Sequence, residues 1–301
     1  MGMVNAGWKA LYPFNGRRLD LGGYGMHYLD EGEGEIVLMV HGNPTWSFYF
    51  RELVKALSPA RRCIVPDHIG MGLSDRPDDS GYDYTLRSRV DDLDALMASV
   101  APEGPVTLIL HDWGGMIGMS WAVRHPERIK AVVALNTACF RIPPGKPFPG
   151  MLKVLRGAWS GIPIRMSRFA RQSVLDTCTA RTKLAPAAAG GYLDVCDGWS
   201  RSRAVHRFVQ DIPLGPGDPA WSVMAQTEGK LGLFKDTPMF LPWGLKDWVF
   251  DERFLDGWLQ RFAKAQACRF PDCGHFLLED APEVVPLIVD FLERRPLKSA
   301  A

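Results

Sequence analysis

Short, uninterrupted apolar stretches are the feature that most limits what this chain can fold into. Each is bounded by glycine, proline or polar residues, and runs of this kind are typical of strands buried on both faces of a parallel sheet. The five stretches are residues 36–40, 62–67, 106–112, 129–136 and 238–244. Helical patterns lie between them, as in residues 86–100, where apolar side chains recur at helical spacing. This alternation predicts an α/β fold with a doubly wound sheet.

Two parts of the chain depart from this alternation. Residues 17–32 favour two strands around a glycine-rich turn, at an antiparallel edge of the sheet. Residues 140–220 are rich in Pro, Gly, Arg and Trp, and they begin with "RIPPGKPFPG" and end with "DIPLGPGDPAW", which are typical of hinges. We interpret 140–220 as a helical cap inserted into a core formed by 1–139 and 221–301.

Composition limits the partners and the compartment. The chain has 35 Lys and Arg against 34 Asp and Glu, so it carries no basic surplus for nucleic acid. Its six cysteines are scattered and form no C-x-x-C pair, which favours free thiols in a reducing compartment. No apolar signal segment or membrane-spanning run is present, so we expect a cytoplasmic protein without a transmembrane segment. We find no metal or cofactor motif, and we expect neither.

Polar residues follow the apolar runs at 36–40, 106–110 and 238–244, and a further segment at 267–273, at the point where each predicted strand ends. They are Asn43, Asp112, Asp247 and His275. Ligands of open α/β sheets bind at the carboxyl ends of the strands, so we expect these side chains to meet at one edge.

Asp112 lies in "VTLILHDWGG", where a strand pattern runs directly into a helix pattern. The bend resembles the G-x-S-x-G nucleophile elbow, with an aspartate in the position of the serine. A carboxylate is ionised at neutral pH, and its attack on an alkyl carbon gives an alkyl-enzyme ester. His275 would then activate water, and Asp247 would orient the imidazole. Asp112 as a simple helix N-cap, and Asp251 as the acid, remain alternatives.

Two neutral donors are available for a leaving group. Trp113 follows Asp112 directly and carries an indole N–H, and Asn43 carries an amide NH₂. Such donors suit a departing halide or a developing oxyanion. The simpler alternatives are that Trp113 is a core residue and that Asn43 shapes the turn before Pro44.

In combination, "HGNPTWSF", "PDHIGMGLSD", "HDWGG" and "GHFLLEDAPE" resemble the haloalkane dehalogenase family, in its third-subfamily type. The resemblance implies an α/β-hydrolase fold with a mostly parallel eight-stranded sheet and an inserted helical cap. It also implies that Asp112 is the nucleophile, His275 the base, Asp247 the acid, and Asn43 with Trp113 the halide-binding pair. Some members place the acid after the sixth strand, but residues 129–140 contain no Asp or Glu. Carbon–halogen hydrolysis is therefore the main expectation, with an apolar small molecule, water and halide as its partners.

A second resemblance gives the alternative. "RCIVPDHIGMGLSD", "YDYTLRSRVDDLD" and "RFVQDIPL" are similar to the β-lactone decarboxylases of bacterial long-chain olefin biosynthesis. These enzymes use the same residues to convert a β-lactone into a cis-alkene and CO₂. The resemblance leaves open a homo-oligomer and a complex with other olefin-biosynthesis enzymes.

Three further classes fit less well. Epoxide hydrolases use two cap tyrosines, whereas residues 140–220 contain only Tyr192. A serine esterase lacks its nucleophile here. A non-catalytic binding module on the same fold would normally have lost a catalytic residue, and none is missing.

Overall fold

Eight strands of the described residues form a single sheet. The computed structural model describes residues 7–157 and 161–294. The strands are β1 (Arg17–Asp20), β2 (Gly25–Glu31), β3 (Ile36–Val40), β4 (Arg62–Pro66), β5 (Val106–Asp112), β6 (Ile129–Thr137), β7 (Met239–Gly244) and β8 (Gln266–Phe270). They lie in the order β1-β2-β4-β3-β5-β6-β7-β8. β2 pairs antiparallel with both β1 and β4 at one edge, and the pairs formed among β3 to β8 are all parallel. The predicted α/β-hydrolase sheet and its antiparallel edge are confirmed.

The apolar strands are buried on both faces, as their sequences predict. Every residue of β3 and β5 is buried. Along β3, Leu38 and Val40 join one hydrophobic cluster, while Val37 and Met39 join the cluster on the opposite face. This alternation follows from the two-residue period of a strand. Helices therefore have to cover both faces, and the carboxyl ends of the parallel strands are left to form a site.

The helices cover these two faces and fill the segment between β6 and β7. They are α1 (Trp8–Leu11), α2 (Arg51–Leu57), α3 (Leu86–Val100), α4 (Trp113–Ala122), α5 (Gly150–Leu155), α6 (Gly161–Met166), α7 (Arg168–Asp176), α8 (Pro186–Leu193), α9 (Arg203–Gln210), α10 (Trp221–Lys230), α11 (Glu252–Arg261), α12 (Leu277–Asp280) and α13 (Val284–Glu293). Short 3₁₀ helices lie at Ser47–Phe50, Pro126–Arg128, Asp194–Cys196 and Leu231–Phe234. In the described ranges, no helix has the length and apolar character needed to cross a membrane.

Helix α3 begins and ends at the residues that the sequence pattern predicts. The hydroxyl of Thr85 caps its first turn by accepting the N–H of Ser88. Its apolar residues are buried, and so is Arg89, which the amphipathic pattern alone would place toward solvent.

Helices α5 to α9 lie within the segment that the sequence analysis assigns to a cap. Ion pairs join this segment to the rest of the chain, including Arg181 with Asp272 at 2.8 Å and Lys146 with Asp251 at 2.9 Å. The division into a core and a cap at residues 140 and 220 stays a prediction.

Candidate active site

Asp112 lies at the junction of β5 and α4 in a backbone conformation that side chains rarely adopt. Its φ is 54° and its ψ is −127°. Two glycines make the tight turn feasible. A Cβ at Gly114 would overlap the carbonyl of Val40, and a Cβ at Gly42 would overlap the carboxylate of Asp112 itself. Strain of this kind is typical of functional turns.

The carboxylate of Asp112 bonds to other strand ends instead of to its own helix. It makes no capping hydrogen bond to α4, so the interpretation as a simple N-cap is wrong. Oδ1 accepts the backbone N–H of Asn43 at 2.5 Å, and Oδ2 lies 3.4 Å from Nε2 of His275. The carboxylate also lines an internal cavity.

His275 lies between two carboxylates. Its Nδ1 donates to Oδ2 of Asp247 at 2.7 Å. The other oxygen of Asp247 accepts the backbone N–H of Val249 at 2.7 Å and of Phe250 at 3.1 Å. Asp247 is therefore held in place from both sides, and it fixes the tautomer and the orientation of the imidazole.

Asp251, the alternative acid, serves another purpose. Its carboxylate pairs with Lys146 and caps α11 by accepting the N–H of Arg253. The structure thus places Asp247, and not Asp251, against His275.

The charges around His275 control its protonation. Burial acts to lower the pKa of His275, but the carboxylates of Asp247 and Asp112 outweigh it and raise the pKa to about 10. The imidazole is therefore protonated at neutral pH as long as Asp112 has not been converted into an ester. Conversion of Asp112 into an ester would remove one of the two negative charges, which would lower the pKa of His275 and increase the fraction of the imidazole that is unprotonated and able to accept a proton.

Two buried side chains that sequence analysis did not assign to the site support its backbone. His111 donates from Nε2 to the carbonyl of His275 at 2.9 Å and stacks on Tyr49. Asn136, the penultimate residue of β6, has a φ of 37°, and its amide bonds both the N–H and the carbonyl of Gly244, at 2.8 and 2.9 Å. These two hydrogen bonds fix the end of β7, where the loop that carries Asp247 begins. A polar amide at the end of an apolar strand was the signal that could have identified Asn136.

The two expected donors contact the cap helix α9. Asn43 donates one amide hydrogen to the carbonyl of Val205 at 3.2 Å, and the ring of Trp113 packs on Phe208 with centroids 5.5 Å apart. The indole N–H of Trp113 has no hydrogen bond to any described residue. Both side chains line the cavity, so each can offer an N–H to a leaving group there.

The cavity has a volume of about 180 Å³, and its walls are largely apolar. Asn43, Asp112, Trp113 and His275 line it, whereas Asp247 lies behind His275. Apolar walls come from both the core and the cap and include Phe140, Leu152, Leu175, Leu193 and Val209. Such a cavity suits an apolar small molecule. In the described part of the chain, no group of three His, Cys, Asp or Glu side chains is placed to hold a metal ion.

Tyr192 also lines the cavity, but its hydroxyl is already bonded. It donates to Glu279 at 2.5 Å, and Glu279 is held in turn by two hydrogen bonds from Arg51. With no other tyrosine between residues 140 and 220, the site offers no tyrosine pair to protonate an epoxide.

Comparisons with known proteins agree with this architecture. Residues 35–282 match the α/β hydrolase fold family. A cis-3-alkyl-4-alkyloxetan-2-one decarboxylase of Shewanella oneidensis is 46% identical over an alignment that covers 94% of this chain and 89% of the relative. Haloalkane dehalogenase 2 of Mycobacterium bovis is 30% identical over 91% of this chain and 93% of the relative.

A solved structure extends the likeness to the fold. The haloalkane dehalogenase DatA from Agrobacterium tumefaciens C58 superposes with a TM-score of 0.82 at 25% identity, covering 93% of this chain and 96% of DatA. The chain therefore belongs to the α/β-hydrolase family of enzymes, alongside the decarboxylases and dehalogenases to which it is similar.

Proposed function

We propose that this enzyme decarboxylates cis-3,4-dialkyl β-lactones to alkenes and CO₂. The observation that carries the proposal is the 46% identity, over nearly the full chain, to an enzyme named for that reaction, against 30% to a dehalogenase. The motifs alone favoured carbon–halogen hydrolysis, and the relatives favour the alternative. The apolar cavity supports it too, since both substituents of such a lactone are hydrocarbon.

The first step is attack by the carboxylate of Asp112 on C4 of the lactone, the alkyl carbon that bears the ring oxygen. A bond forms between Asp112 and C4, the bond between C4 and the ring oxygen breaks, and the ring opens to a carboxylate. The N–H groups of Asn43 and Trp113 stabilise the charge on that carboxylate. Relief of strain in the four-membered ring drives the step.

The second step releases the alkene. The bond between C3 and the carboxylate carbon breaks, its electron pair forms the C3=C4 double bond, and the bond between C4 and Asp112 breaks. The products are an alkene and CO₂, and the carboxylate of Asp112 is restored. Water is not consumed. Inversion at C4 followed by anti elimination converts a cis-lactone into a cis-alkene.

His275 has a different task in this reaction than in hydrolysis. As an imidazolium held by Asp247, it donates a hydrogen bond toward the carboxylate of Asp112 as that group departs from C4. Hydrolysis of an alkyl ester instead requires neutral His275 to take a proton from water. Asp247 keeps its negative charge when Asp112 is esterified, and its charge is the largest of the contributions that raise the pKa of His275, so it supports the role as a donor.

Haloalkane dehalogenation is the second candidate, because Asp112, His275 and the two N–H donors also suit it and because DatA shares the fold. Its products would be an alcohol and a halide. Assembly into homo-oligomers or with other olefin-biosynthesis enzymes stays a prediction.

The deciding experiment offers the purified enzyme a long-chain cis-β-lactone and a long-chain bromoalkane side by side. Alkene is measured by gas chromatography and bromide by ion chromatography, with Asp112→Ala as the control for both. We expect alkene from the lactone at a rate that far exceeds bromide release. Bromide release without alkene would overturn the proposal in favour of dehalogenation. Hydroxy acid in place of alkene would show that the enzyme hydrolyses lactones.

A further inference from the structure

Arg89 is a buried cation to which the proposed reaction gives no role. It lies in α3 with no solvent exposure, and none of its guanidinium nitrogens has a hydrogen-bond partner among the described residues. The nearest carboxylate oxygen is Oδ2 of Asp211, 3.6 Å from Nη1. Burial of a guanidinium is expensive unless its surroundings compensate, so its position calls for an explanation.

The main contact of Arg89 is the ring of Phe208. Its guanidinium carbon lies 3.7 Å from the ring centroid, a close cation–π contact. Phe208 is fully buried, and its ring also packs against Trp113, with centroids 5.5 Å apart. Phe208 thus lies between a core cation and one of the two leaving-group donors.

Helix α9 also contacts Asn43, the second of the two leaving-group donors. Val205 precedes Phe208 by three residues, so both side chains lie on one side of the helix. The carbonyl of Val205 accepts the amide hydrogen of Asn43 at 3.2 Å. The position of α9 therefore sets the environment of both Asn43 and Trp113.

The first turn of α3 contacts the carboxyl end of α9. Asp211, the first residue after α9, accepts the backbone N–H of Leu86 at 2.5 Å and faces Arg89. The first turn of α3 therefore contacts α9 at Phe208 and also contacts Asp211, the residue that follows α9. Both contacts are buried, and such contacts between rigid helices transmit a displacement of one helix to the other.

We propose that Arg89 is a positioning residue for the pocket that holds the leaving group. By stacking on Phe208, Arg89 keeps α9 packed against Trp113 and Asn43. The inference rests on the proposed function, in which those two side chains stabilise the departing carboxylate. Helix α3, which does not line the cavity, would thereby affect the rate of the step that generates the leaving group. Arg89 itself touches no reacting atom.

Activity tests the proposal through a double-mutant cycle of Arg89→Met and Trp113→Phe. Misplacement of a pocket by about 1 Å can lower a rate about a hundredfold, and we expect a loss of that order for Arg89→Met. If Arg89 acts in part through Trp113 and in part through Asn43, the same substitution should lower the rate clearly less in the Trp113→Phe background than in the wild type. Equal losses in both backgrounds would overturn the proposal. Arg89→Lys keeps the charge but not the planar stack, so it should recover only part of the rate.

A matched control tests whether the loss of an arginine alone lowers the rate, and a second variant is available in case Arg89→Met does not fold. Arg181→Met removes the ion pairs of Arg181 with Asp272 and Glu283, none of which lines the cavity, and it should leave the rate near that of the wild type. If Arg89→Met does not fold, Arg89→Met with Asp211→Asn removes both buried charges and takes its place in the cycle.

The position of Trp113 provides a readout that needs no activity. The protein is labelled with 5-fluorotryptophan, and the fluorine resonance of Trp113 is assigned from its loss in Trp113→Phe. We expect that resonance to shift in Arg89→Met and to stay in place in Arg181→Met. An unchanged resonance in a folded Arg89 variant would refute the positioning role. Absence of alkene from the wild type would refute the proposed function instead, and the resonance would then decide the role of Arg89 alone.

Discussion

The backbone N–H of Asn43 donates to Oδ1 of Asp112 at 2.5 Å and joins two strand ends that lie 69 residues apart. The proposed nucleophile is therefore oriented by the main chain at position 43, whereas the side-chain amide of Asn43, which donates one hydrogen to Val205, keeps the other for a leaving group. Substitution of the side chain can separate these two roles.

Asn43→Ala should keep the bond to Asp112 and remove the amide donor. Loss of one such donor lowers a rate about a hundred- to a thousandfold, and we expect alkene formation to fall by that order. Single-turnover rates and the melting temperature are measured on the same sample. A destabilised variant that reacts at the wild-type rate would show that Asn43 only shapes the turn before Pro44.

Asp112 should carry the whole reaction. Asp112→Ala is expected to reduce the turnover of lactone and bromoalkane to background, because Asp112 is the one carboxylate among the described residues that line the cavity. Activity close to that of the wild type would refute the assignment of the nucleophile.

The backbone at position 112 also predicts a stability effect. Glycine adopts a positive φ without strain, whereas alanine does not. Asp112→Gly should therefore have a free energy of unfolding about 1 kcal/mol higher than Asp112→Ala, measured by denaturation in urea. Because both variants lack the carboxylate, the difference between their free energies of unfolding reports the conformational preference of the backbone at position 112. Equal stabilities would mean that the bend stores no more strain than the additional backbone entropy that glycine loses on folding.

His275→Phe should separate attack from hydrolysis when a bromoalkane is the substrate. Attack by Asp112 needs no base, so one equivalent of bromide should be released and the alkyl ester should accumulate. Intact-protein mass spectrometry, followed by peptide mapping to Asp112, detects the adduct. A folded variant that forms no adduct would contradict the two-step mechanism for haloalkanes.

Asp247 and Asp251 form a matched pair for testing the acid. Asp247→Asn places an amide beside Nδ1 of His275 and should favour the wrong tautomer, a change that lowers the rate of hydrolytic triads by about 10⁴-fold. Asp251→Asn keeps a capping side chain for α11 and should retain most of the bromide release. Initial rates at pH 7.5 compare the two variants. A larger loss in Asp251→Asn would exchange their roles.

Much of this architecture is predictable from local sequence. The apolar stretches predict β3 and β5 because a strand buried on both faces needs no polar side, and helical spacing predicts α3 to its ends. The strand-end residues Asp112 and His275 could be found because parallel strands present their carboxyl ends at one edge. No local pattern predicts that Phe208 packs on Trp113 or that Val205 bonds Asn43. Those contacts depend on how the cap returns to the core, which only the folded chain determines.

The last prediction concerns the dependence of stability on pH. The pKa of His275 is about 10 in the folded enzyme, against about 6.5 for an unperturbed histidine. A raised pKa means that the folded state binds the proton more tightly than the unfolded state. The resulting stabilisation is fully present below about pH 6.5 and is lost as the pH rises toward 10.

His275→Phe removes this titration and leaves other ionisable groups in place. The free energy of unfolding of the wild type, minus that of His275→Phe, should therefore decrease steadily from about pH 6.5 to about pH 10. Urea denaturation at pH 6, 7, 8, 9 and 10 measures the difference, and subtraction cancels the titration of lysines and tyrosines. A constant difference across this range would mean that Asp247 and Asp112 do not raise the pKa of His275. It would also remove the support that a protonated His275 gives to decarboxylation over hydrolysis.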